Sequence, residues 1–87
     1  MKTTPAELEL FRTLQPRLKQ VSALLAQGLC YAEIGQRLNL ARSTAHAYTD
    51  HAMGHTGIRP SLRYALFIVR HPEIETMMRE ALSEEQA

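Results

Sequence analysis

Residues 33–48 read "EIGQRLNLARSTAHAY". Two short helical patterns lie side by side, joined through Asn39 and Leu40, and the second carries Ala, Arg, Ser, Thr and His where a packed helix ordinarily carries Leu or Ile. Helical spacing turns Ile34 and Leu38 inward on the first pattern. Asn39 tolerates the left-handed conformation that lets a chain turn sharply. A short helix, a tight turn and a second helix set steeply across the first make a helix-turn-helix unit. Gly35 falls where the two helices are expected to cross, a place that admits only a small residue. The slim second helix then has a use, because a DNA major groove is about 12 Å wide and takes only a helix that projects from its support. Ala45, Ala52 and Thr56 are expected to face inward, and Arg42, Ser43, His46, Ala47, Thr49 and Asp50 outward. Hydroxyls from Ser43 and Thr44 would meet phosphates drawn to the helix N-terminus.

The same reading extends in both directions. Thr4-Pro5-Ala6-Glu7 combines a capping Thr, a Pro whose missing N–H is harmless and a Glu three positions beyond the cap, opening a helix over about residues 5–13. Gln15-Pro16 opens a second, whose Leu18, Val21, Leu24 and Leu25 form one apolar stripe up to Gly28, a residue suited to the turn after a helix. The third helix spans 31–38 and the fourth starts near Arg42. Gly54 lowers helix propensity by about 1 kcal/mol relative to Ala, so the fourth is expected to end early. Then comes "RPSLRYALFIVRHPEIETMM" at 59–78. Its Leu62, Ala65, Leu66, Phe67, Ile68 and Val69 wrap apolar surface around most of a helix over 61–70. Pro72 opens a last helix to about residue 83, bearing Ile74, Met77, Met78, Ala81 and Leu82. That helix folds back over Phe67 and Ile68, builds a two-fold dimer interface, or does both. The interface candidates are Leu62, Leu66, Phe67, Val69, Met77 and Met78. No stretch reads as a strand, so the expected fold is a single all-α domain, a small helix-turn-helix bundle with an extra helix at each end.

An 87-residue chain buries only about 60% of its unfolded surface, so the core is thin. The single cysteine, Cys30, allows no internal disulfide and fits a reducing compartment. With no apolar run near the roughly 18 residues of a spanning helix, and no signal peptide before the first helix, the expected location is cytoplasmic. Net charge is only +1, but it is unevenly spread. Between residues 12 and 70 eight bases face two acids, and the remainder holds two bases against seven acids. A basic middle attracts a polyanion such as DNA, and acidic flanks discourage indiscriminate binding. An enzyme is not expected, since a Gly-rich phosphate loop, a nucleophile elbow and a close carboxylate pair outside the acidic helix ends are all missing from the sequence. His51 and His55 stand one helical turn apart, yet no third ligand is fixed, so neither metal nor cofactor is expected. Cys30 reads as a small neutral residue ahead of a helix. His46 on a DNA-facing position would favour binding at lower pH, because protonated imidazole donates from both nitrogens.

The stretches "LQPRLKQVSALLAQGL" (14–29), "AEIGQRLNLARSTAHAY" (32–48) and "TGIRPSLRYAL" (56–66), in this order and spacing, resemble the LuxR/GerE-type helix-turn-helix domain. The resemblance covers about residues 14–66 and rests most on "LLAQGL" leading into "EI" and "RL", then "ST" and "GI". It implies a bacterial or phage four-helix DNA-binding domain, usually dimeric, acting in transcription regulation, with its third helix in the major groove. It also implies recognition contacts at His46, Ala47 and Asp50, phosphate contacts near Arg42 and Thr44, and a place for Tyr31 at the start of the supporting helix; Arg59 joins them as a candidate. The sequence departs from the family where Lys or Arg is common and this chain has His46 and Asp50. Ala41 replaces a capping Ser, a change that weakens a helix start by about 1 kcal/mol. Asp50 fits a DNA face if it accepts from a cytosine amino group or orients an Arg. Two functions remain in view: a transcriptional regulator that binds double-stranded DNA as a dimer on a near-palindromic operator, and a helix-turn-helix scaffold that antagonises another regulatory protein through its apolar C-terminal helices.

Overall fold

The computed structural model describes residues 2–86, with side chains through residue 83. Its helices are α1 (Pro5–Arg12), α2 (Pro16–Ala26), α3 (Tyr31–Leu38), α4 (Arg42–Thr56), α5 (Ser61–Arg70) and α6 (Pro72–Gln86). No strand occurs among the described residues, so the fold is all-α. None of these helices is long and apolar enough to cross a membrane.

Local chemistry fixes the helix ends. Thr4 Oγ1 accepts from the Glu7 N–H at 3.2 Å while Glu7 Oε1 accepts from the Thr4 N–H at 2.9 Å, a reciprocal cap on α1. The Thr4 backbone N–H, bound to the charged form of Glu7, holds that carboxyl below the usual carboxylate range. α3 starts the same way, on Cys30: its N–H donates to Glu33 Oε1 at 2.9 Å. α3 closes on Asn39 in the left-handed region, at φ 58°. α4 does not stop near Gly54. It runs to Thr56 and closes on Gly57 at φ 74°. Ala52, Met53 and Thr56 are buried there, and the Thr56 hydroxyl donates to the Ala52 carbonyl at 3.0 Å. Packing of that last turn outweighs the propensity cost of one exposed glycine.

α2 is the central helix, in contact with α3, α4, α5 and α6. Five consecutive residues, Gln20 to Leu24, are buried, which is broader than the single apolar stripe its spacing predicts. On one side Val21 and Leu24 join Ile34, Leu38 and Ala45. On the other, Ala23 meets Phe11, Tyr64, Ile68, Ile74 and Met78. A helix buried on opposite sides must satisfy its polar groups internally. Ser22 Oγ donates to the Leu18 carbonyl at 2.7 Å, which commits its single proton, so the Tyr64 hydroxyl 2.7 Å away is the donor to Ser22. Burial pushes the Tyr64 phenol up to about 12. Gln20 Nε2 donates to the Ala81 carbonyl at 3.2 Å, tying α6 to α2.

α6 therefore folds back, and its main support is α2, with α1 and α5 alongside. This corrects part of the expected dimer surface. Ile74 and Met78, one turn apart, point into the core, and Met78 is 0% exposed, so it cannot meet a second molecule. Met77 is half-buried against the same cluster. Phe67 is half-buried as well, stacked between Phe11 at 5.8 Å and His71 at 4.0 Å between ring centroids. In solvent α5 leaves Arg63, Arg70 and, beside them, an apolar ridge of Leu62, Leu66 and Val69, which are 70%, 40% and 44% exposed.

Candidate functional site

α3 and α4 are joined by Asn39, Leu40 and Ala41. The Leu40 N–H donates to the Gly35 carbonyl at 2.7 Å, which folds the turn back over α3. A methyl group on Gly35 would stand 2.5 Å from the Leu40 carbonyl oxygen. The close approach that demands a glycine is thus with the turn, and not with the crossing helix as the sequence suggests. Ile34 and Leu38 of α3, with Val21 and Leu24 of α2, pack against Ala45 and brace α4 from behind.

α4 has two unlike sides. Ala45, Thr49, Ala52, Met53 and Thr56 are buried, whereas Ser43, Ala47, Asp50, His51 and Gly54 on the opposite side are exposed. Thr49 was expected to face outward; it is 1% exposed and its hydroxyl donates to the Ala45 carbonyl at 3.0 Å. It stands one turn from both Ala45 and Met53, so helical geometry places it on the inward stripe. A hydroxyl that bonds its own helix can be buried without an orphaned donor. Polarity misled the sequence reading there. His51 and Gly54 were not assigned to the outward strip, although the same 3.6-residue period places them on it.

Two patches frame that strip. Near the N-terminus of α4, Tyr31, Arg42, Ser43 and His46 line a groove of about 410 Å³. The Tyr31 and His46 rings meet edge to face at 4.7 Å, which ties the start of α3 to the first turns of α4. Arg42, Ser43, His46 and Ala47 are exposed; Tyr31 and Thr44 are half-buried. Ala41 supplies no side-chain cap, so the positive end of the α4 dipole is not neutralised from within. The second patch lies near the C-terminal half. Arg59, from the loop after α4, reaches back so that its Nη1 donates to Asp50 Oδ1 at 2.8 Å and its Nη2 lies 3.5 Å from the Asp50 carbonyl oxygen. The Arg59 hydrogen bond and charge hold the Asp50 carboxyl below its usual range. The sequence placed both residues among the candidates without showing that they meet.

Two further histidines are engaged separately, away from His46. His55 Nε2 lies 2.9 Å from Thr13 Oγ1, and the buried His71 Nδ1 lies 2.6 Å from the Phe67 carbonyl oxygen. Among the described residues no group of three potential metal ligands comes together. Comparison with protein-family models, with curated proteins and with solved structures gives no match in any of the three.

Proposed function

We propose that the chain is a sequence-specific double-stranded DNA-binding transcriptional regulator that acts as a dimer on a near-palindromic operator. The observation that carries this reading is the outward strip of α4. Ser43, Ala47 and Gly54 are short enough to let the helix backbone approach a groove floor, while α2 and α3 hold the helix rigidly from the opposite side. Arg42 and the uncapped first turn of α4 are suited to phosphate, and His46 is suited to a base edge or a phosphate. Asp50, the acid on this strip, has its charge compensated by Arg59. The ridge of Leu62, Leu66 and Val69 on α5 is the proposed dimer contact, and a two-fold pair would present two copies of α4 to half-sites about 34–36 Å apart.

The test is binding of duplex oligonucleotides by fluorescence anisotropy over a series of salt concentrations. The expected result is an affinity that falls linearly with salt on logarithmic axes, as counterions are released. Failure to bind any duplex in dilute buffer refutes the reading. The exposure of Leu62 supports a second reading, in which that ridge binds and antagonises another regulatory protein; absence of DNA binding together with a defined complex with one regulator would favour it.

A further inference from the structure

The Asp50–Arg59 pair carries a finer inference, which rests on the DNA-binding reading. We propose that Asp50 and Arg59 act together as a guanine-reading element of α4, with Asp50 positioning the Arg59 guanidinium over the outward face so that its remaining N–H groups meet a guanine edge in the major groove.

Three observations support it. First, the guanidinium sits on the helix and not beside it. A methyl group placed on Gly54 would be 3.4 Å from Arg59 Nη2, so the arginine crosses the helix at the residue that offers no side chain in its way. Second, the pair is held in a defined orientation, with Nη1 on the Asp50 carboxylate at 2.8 Å and Nη2 directed at the Asp50 backbone carbonyl. Arginine has five N–H donors in a planar fork, and a bond to Asp50 leaves enough for a two-point contact. Third, Ser43, Ala47 and Gly54 leave the middle of the outward strip without bulk, and of the side chains at its C-terminal half, Asp50, His51 and Arg59, only the Arg59 guanidinium offers a planar fork of N–H donors.

The chemistry of the target follows from charge. Both side chains are about half exposed, at 51% and 55%, and an ion pair so open to water adds little to stability. As a phosphate clamp the pair is also poor, because the carboxylate opposes the anion that the guanidinium attracts. A guanine edge in the major groove is uncharged and offers two acceptors, O6 and N7, at the spacing of an arginine fork. A neutral, oriented pair therefore fits a base better than a backbone.

Selection of bound duplexes from a random pool, with wild type and with Arg59→Ala, Arg59→Lys and Asp50→Asn, tests this. Each variant is first checked for unchanged helicity by circular dichroism. Wild type is expected to enrich a G·C pair at one fixed position of each half-site, and replacing that pair should cost on the order of ten- to a hundredfold in affinity. Both Arg59 variants should lose that preference at that position alone. Asp50→Asn should weaken the same preference several-fold while binding unrelated duplexes as well as or better than wild type, because it is one charge more positive. Uniform weakening by Arg59→Ala with every base preference intact would make Arg59 a phosphate contact and overturn the inference. So would an Asp50→Asn variant with unaltered selectivity. A wild-type protein that binds no duplex refutes the DNA-binding reading itself, which is a different outcome from binding with selectivity indifferent to these two residues.

Discussion

α4 and α5 both present a face to solvent, and the two faces are opposite in kind. On α4 the outward strip has been reduced to Ser43, Ala47, Gly54, His51 and an acid neutralised by Arg59. On α5 the outward ridge keeps Leu62, Leu66 and Val69. Water hydrates the first at no cost, whereas the second leaves apolar area exposed that burial would stabilise at roughly 25 cal/mol per Å². Exposure alone therefore does not mark a binding surface; what the exposed atoms lack does. The α4 strip lacks bulk, which suits a partner that must come close. The α5 ridge lacks cover, which suits an apolar partner such as a second copy of the chain.

The sharpest way to break this contrast is Leu62→Asp. Leu62 is 70% exposed, so the variant should remain helical. A charge on the ridge should convert dimers to monomers in a sedimentation experiment and lower affinity for a duplex with two half-sites by about a hundredfold, through loss of the linked second contact. A dimer that survives would move the interface off α5. Phe67→Asp does not serve this purpose, because Phe67 stacks on Phe11 and His71 and its replacement should unfold the domain.

Beneath both faces lies one core, and Tyr64 reports on it. Its phenol is pushed up to about 12 by burial, above the ordinary value near 10. A group whose folded pKa is raised contributes stability in full below the unfolded value, and loses that contribution as pH rises through the folded value. Stability should thus fall between about pH 10 and 12 by about 2 to 3 kcal/mol from this residue. In Tyr64→Phe that contribution to the loss should vanish, seen as a shallower decline in denaturation midpoint with alkaline pH. Ser22 keeps its bond to the Leu18 carbonyl, so the variant should fold at neutral pH. An unchanged alkaline slope would mean that Tyr64 ionises without unfolding.

Two glycines sharpen the same contrast, one from each side of the helix pair. Gly35→Ala forces a methyl group against the Leu40 carbonyl oxygen, a backbone atom that cannot rotate away, and should destabilise by about 1–3 kcal/mol. Gly54→Ala meets only the mobile end of Arg59 and gains helix propensity, so it should stabilise by up to about 1 kcal/mol. Thermal unfolding followed by circular dichroism should move in opposite directions for the two. Equal shifts would show that the turn over Gly35 yields easily.

These residues also show what was legible in the sequence. Helix starts were, as was the stop of α3, because Thr4, Pro16, Asn39 and Pro72 act through their own backbone and nearest neighbours; the stop of α4, at Gly57 and not near Gly54, was not, because buried Met53 and Thr56 carry the helix on. The expected span of α3 matches its observed span, Tyr31–Leu38. Long-range placements were not. Nothing local to Met78 says that α6 lies on α2 as well as α5. Thr49 is a different case: the helical period sets it one turn from Ala45, to whose carbonyl its hydroxyl donates, and its polarity alone spoke for the outward side. The Asp50–Arg59 contact spans nine positions across a helix end and a loop, beyond the reach of any helical period. The period itself nevertheless carried more than was taken from it: stepping from Ser43 through Ala47 reaches Gly54, and His51 lies beside that line.

The smallest expected effects separate charge from identity on the α4 face. Arg42 is exposed at the helix start, where the dipole and an uncapped first turn already favour an anion. Arg42→Ala should weaken binding to every duplex alike and flatten the logarithmic salt dependence by about 0.9 of a unit, one phosphate contact's worth. His46 contacts the Tyr31 ring edge to face, and this contact limits where its imidazole can point. His46→Ala should therefore change which duplexes are preferred more than how tightly an average duplex is bound, measured by anisotropy on a panel of single-base-pair variants. If Arg42→Ala alters preference and His46→Ala alters only the salt slope, the two residues have exchanged roles, and the recognition contacts lie nearer the N-terminus of α4 than its slim strip suggests.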